Sequence, residues 1–157
     1  MLRRGLTAAG LVVAAVALVA GGRAEPARTS GVSHVCGALD KQFIRAAAIS
    51  NASVELLGHD FVVGDLSAPD ALSQTREAAL GIRLTEPRDP SLKLTRTLMH
   101  GMVVEYGRAI HARWKGGNAS AHMYRSYSLA NYAHDVLIEA EPALSHEGCS
   151  LAELLPQ

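Results

Sequence analysis

The sequence predicts an all-α fold: an up-down-up-down four-helix bundle whose ends are joined by one disulfide, Cys36–Cys149. Three observations carry that expectation. Apolar residues recur at intervals of three and four along four separate stretches, the spacing of helices that bury one face. Short segments rich in Gly, Pro, Asp and Asn divide the stretches, and short connections join antiparallel neighbours. The only two cysteines stand near the two ends of the region so divided. No stretch of useful length alternates apolar and polar residues as a strand would.

From Ser33 onward, Cys36, Leu39, Phe43, Ala46, Ser50, Val54 and Leu57 make one face of a first helix, with Gly58 placed to stop it at C′. Gly58 to Ala68 reads as a loop, broken by Gly64, with Phe61, Val62 and Val63 folding back onto the core. Ser67-Ala68-Pro69-Asp70 has the form of a capping box with proline in the first turn, and the second helix turns Leu72, Thr75, Ala79 and Ile82 inward. Thr85-Glu86-Pro87-Arg88 is a turn, after which Asp89 and Pro90 open a third helix as N-cap and N1.

The third helix carries Leu92, Thr95, Met99, Met102, Tyr106 and Ile110 on one face and stops at Lys115-Gly116-Gly117. Asn118 caps a fourth, with Met123, Tyr127, Ala130, His134 and Leu137 inward, and Pro142 ends or kinks it. Ser150-Leu151-Ala152-Glu153 opens a short terminal turn. In this topology the start of the first helix and the end of the fourth lie at one end, so the two cysteines become neighbours. Closing so long a loop stabilises by about 4–5 kcal/mol in the chain-entropy model.

The first residues read as an address. Arg3 and Arg4 precede an uncharged apolar run, Leu6 to Ala20, and small residues follow at Gly21, Gly22 and Ala24. That is the layout of a secretory signal peptide, residues 1–24, cleaved after Gly22 or Ala24, unless it is kept as an anchor. A flexible segment, 25–33, then leads into one helical domain, 34–157. Export suits a paired disulfide, and the abundance of Ala with Arg preferred over Lys fits a GC-rich bacterial genome. The expected location is therefore secreted or in the cell envelope. Loss of Arg3, Arg4 and Arg23 leaves 12 basic side chains against 15 acidic, a net of −3. A mildly acidic chain argues against nucleic-acid partners, and no later segment is apolar enough to span a membrane.

Enzymatic signatures are missing: no G-x-S-x-G elbow, no H-E-x-x-H, no phosphate-cradling glycine loop and no E-x-x-H pair. Met99-His100-Gly101-Met102 and His122-Met123 set copper-type ligands side by side, but neighbours on a helix diverge too far to chelate locally. His134 is the most informative histidine, since it falls in the inward stripe of the fourth helix two turns beyond Tyr127. Facing it from the third helix would be Met99, Met102 and Tyr106, a set suited to haem or a soft metal. Glu105 borders the same face and could meet His134 as an acid–base pair. Trp114, Tyr124 and Tyr132 fall off the inward stripes and could form an aromatic contact surface.

The order of features (signal peptide, early Cys36, helices, late Cys149) is similar in outline to that of the secreted mycobacterial haemophore-like proteins. The likeness is one of arrangement and transfers no ligand residue to this chain. The function expected is that of a non-catalytic binding or interaction module, for a protein or small ligand and without a cofactor. One alternative is a haem or metal carrier with a core pocket around His134 and Tyr127. The other is an acid–base enzyme using Glu105 and His134.

Overall fold

Asp40 sets where the first helix begins. In the computed structural model, which describes residues 35–155, its Oδ2 accepts the Gly37 amide at 3.1 Å and closes a capping box around α1, Ala38–Val63. The predicted signal peptide, residues 1–24, and the segment 25–33 lie outside the described residues. The inward face of α1 is Asp40, Phe43, Ile44, Ala47, Ser50 and Leu57, while Leu39 is 36% exposed and Ala46 partly so.

Gly58 does not stop α1. The helix continues to Val63 and ends at Gly64, whose φ of 89° is the left-handed conformation that glycine adopts without strain. Gly58 has a packing reason instead: a Cβ there would lie 2.6 Å from the Tyr106 hydroxyl. The first half of the expected loop is thus another turn and a half of helix, and only Gly64 to Ser67 connect α1 to α2. Phe61 packs against the core, but Val62 and Val63 are 70% and 53% exposed rather than folded inward.

The next two helices start where their caps predict. α2, Ala68–Arg83, opens on Ser67, whose side chain accepts the Asp70 amide, and buries Leu72, Thr75, Ala79 and Ile82. α3, Pro90–Trp114, opens on Asp89, whose Oδ1 accepts the amides of Ser91 at 2.8 Å and Leu92 at 3.0 Å. α4, Ser120–His146, follows Asn118, whose Oδ1 accepts the Ser120 amide at 2.8 Å. Pro142 does not end α4, which runs on to His146. The proline sits on the exposed side, where water can serve the carbonyl that loses its partner.

α3 is the central helix and packs against each of the other three, and α1 also packs on α2. Among the described residues, α4 makes no close backbone approach to α1 or α2. Side chains bridge that gap: Phe43, Ile82, Leu92, Val103 and Leu144 belong to one core, joined by Leu151 of the terminal turn. A smaller cluster, Leu57, Ala71, Leu72 and Ile110, fills the far end. The disulfide clamps the near end, with the Cys36 and Cys149 Cα atoms 5.2 Å apart and the Cys36 amide donating to the Glu147 carbonyl at 3.0 Å. The result is the four-helix bundle with joined ends that the sequence predicts, without strands among the described residues.

Candidate functional site

The core pocket expected around His134 is not formed, because α4 is rotated about its axis from the predicted stripe. Ser126, Ala133 and Leu137 face inward with Ala130 beside them, whereas Tyr127 is 64% exposed and His134 is exposed. Small residues win the inward positions because they let α4 lie close to α3. The Ser126 hydroxyl donates to the Met102 carbonyl at 3.0 Å, and a Cβ on Gly101 would come within 3.2 Å of Leu129. Met99 and Met102 are buried in the core. Tyr106 is partly buried over Gly58, and burial, with Tyr127 adding to it, pushes its phenol pKa above the ordinary 10.0. The five residues of the predicted pocket therefore do not share one cavity. His134 instead borders a shallow surface hollow with Ile138, Glu141 and the terminal turn.

Glu105 is drawn into a pair, but with His122 rather than His134. Its side chain is only 11% exposed, and its Oε2 meets His122 Nδ1 at 2.7 Å and Arg125 Nε at 3.0 Å. Arg108, one turn along α3, donates to Oε1. The carboxyl is held down at about 2, against an ordinary 4.5. The hydrogen bond with His122 is the largest cause and outweighs burial, which acts the other way; Arg125 and Arg108 lower the value further. Arg125 Nη2 lies 2.8 Å from the same Nδ1, so this edge of the imidazole is held between the carboxylate and a guanidinium. Nε2 is then the nitrogen left for anything beside the ring. Sequence reasoning missed this partner because it placed His134, and not His122, against α3.

Beside this cluster a groove of about 490 Å³ runs along α2 and α3 and is bounded by His122 at the start of α4. Leu72, Ala79, Val104 and Ala112 supply its apolar wall. The helices close up below it at Gly107, where a Cβ would stand 3.1 Å from the Thr75 hydroxyl. Every titratable residue lining the groove is basic: Arg76, Arg108, His111 and His122. Among the described residues Thr75 is the only hydroxyl on its wall, and Oγ1 already donates to the Leu72 carbonyl at 3.0 Å. A carboxylate–imidazole pair stands here without an activated nucleophile next to it.

A second feature faces solvent. Tyr124, Tyr127 and Tyr132 on α4 are 75%, 64% and 54% exposed. Trp114, at the end of α3, is 48% exposed; the His111 ring meets it edge-on at 6.1 Å, and Lys115 Nζ lies 4.1 Å over its ring. Among the described residues no group of three or more His, Cys, Asp or Glu side chains is disposed to hold a metal ion. No helix among them is long and apolar enough to cross a membrane. No protein-family model, curated protein or solved structure matches the chain.

Proposed function

We propose that the protein is exported and works as a non-catalytic interaction module, with the outer face of α4 as its contact surface. The observation that carries this reading is the exposure of Tyr124, Tyr127 and Tyr132 on a helix whose opposite side closes the core without them. Large rings left in water on a crosslinked scaffold are the residues that dominate binding energy when a partner covers them. The layout of residues 1–24 and the Cys36–Cys149 disulfide support export, since such bonds persist in oxidising compartments.

The test places a photoreactive phenylalanine at Tyr124, and separately at Tyr132, in the host that exports the protein. One discrete adduct from both positions is expected, and absence of any adduct from either overturns the reading. The same preparation decides haem carriage. Binding by His134 and Tyr127 would use this open face, and a Soret band on adding haemin, lost in His134→Ala, would replace the interaction reading with the carrier.

A further inference from the structure

The groove on α2 and α3 differs from the aromatic face in both shape and charge. Its volume of about 490 Å³ lies within the roughly 300–1,000 Å³ usual for small-molecule sites. Its wall is largely apolar, yet the polar groups on it converge in sign. Although acidic side chains equal basic ones over the whole chain, none among the described residues lines the groove. Glu105 lies next to it but is shared among Arg108, Arg125 and His122, so one carboxylate serves three groups. Arg76 makes no ion pair among the described residues. α4 begins two residues before His122, which brings the positive end of its dipole to the same end of the groove.

From this juxtaposition we propose that the groove between α2 and α3 binds an anionic amphiphile, a single oxyanion head on an aliphatic tail. The head is held by Arg76 and Arg108, and the tail lies along Leu72, Ala79, Val104 and Ala112. Arginine forks match a carboxylate or a phosphate in plane and charge, while the apolar wall rewards a tail that a free anion lacks. A nucleotide fits less well, because no Phe, Tyr or Trp among the described residues lines the groove to stack on a base.

Calorimetric titration of the purified protein with sodium dodecanoate, below its micellar concentration, tests the proposal. Dodecyl phosphate, inorganic phosphate and dodecanol are run beside it. One saturable site is expected for dodecanoate or dodecyl phosphate, and the comparison of those two identifies the head. Inorganic phosphate and dodecanol should bind at least about tenfold more weakly, because each lacks the tail or the charge. Arg76→Gln, a surface change, should weaken the amphiphile about tenfold. Ala112→Phe, which fills the groove and leaves every charge in place, should abolish binding. Equal affinity for dodecanol, an unaffected Ala112→Phe variant or no saturable heat from either amphiphile overturns the proposal. The Tyr124→Ser/Tyr132→Ser double variant should bind the amphiphile as the parent does, so this site and the aromatic face fail or stand separately.

Discussion

Asp40 and Arg88 are 48 residues apart in sequence, yet Asp40 Oδ1 accepts the Arg88 amide at 2.6 Å. The same oxygen accepts the Asp89 amide at 3.0 Å, and Oδ2 accepts that of Gly37. Asp89 is itself the N-cap of α3. A single carboxylate without exposed surface therefore ties the start of α1 to the start of the central helix.

Removing that carboxylate leaves several amides without their acceptor, the Asp89 amide buried among them. Asp40→Ala should lower the unfolding free energy by about 3 kcal/mol. Asp40→Asn should cost less, because it keeps an oxygen for Arg88 and Asp89 while turning an NH₂ toward Gly37. Urea denaturation of the three proteins measures both steps. A loss below about 1 kcal/mol for the alanine variant would show that the link carries little.

Gly58 and Tyr106 should be coupled. Alanine is favoured over glycine within a helix by about 1 kcal/mol, but here its Cβ meets the Tyr106 hydroxyl. Gly58→Ala alone should therefore destabilise by about 1 kcal/mol, and in a Tyr106→Phe background it should stabilise by a similar amount. A double-mutant cycle by thermal denaturation reads the change of sign.

Acid should weaken the α3–α4 contact. Glu105 has a folded pKa of about 2, below its ordinary 4.5, so its stabilisation is complete above about 4.5 and is lost as pH falls through 2. The expected contribution is only about 1 kcal/mol, because Arg108 and Arg125 are 60% and 52% exposed and water screens them. Denaturation midpoints between pH 6 and pH 2 should fall less in Glu105→Gln than in the parent. Parallel curves for the two proteins would remove Glu105 as the source.

The rotation of α4 has its own signature. His134→Ala should change stability by less than about 0.5 kcal/mol, because the ring is exposed. Leu137→Ala, three residues on and buried, should cost about 2–5 kcal/mol. A large loss for His134→Ala would return that residue to the core.

Much of the architecture was legible before any packing was known. Ser67 with Pro69, and Asp89 with Pro90, start α2 and α3 where they stand, because a cap and its amides lie within three residues of each other. The positions of Cys36 and Cys149 announced that the ends of the bundle meet, since an even pair in an antiparallel arrangement has one nearby partner. Period alone, however, left the rotation of α1 and α4 open to an error of one residue, and two features of the fold followed from that. Asp40, not Leu39, is buried; Ser126 and Ala133, not Tyr127 and His134, face α3.

Local signals determined where the helices begin, how many there are and that their ends are joined, because those choices are settled by groups a few bonds apart. Which residue of each turn faces inward was decided only when the helices packed. Gly58 leaves inside α1 the space that Tyr106 of another helix fills, and Glu105 takes His122 because α4 presents its small residues to α3. Such contacts join residues far apart in sequence, and their outcome depends on how closely two helix axes approach. Neither short-range chemistry nor periodicity encodes that distance.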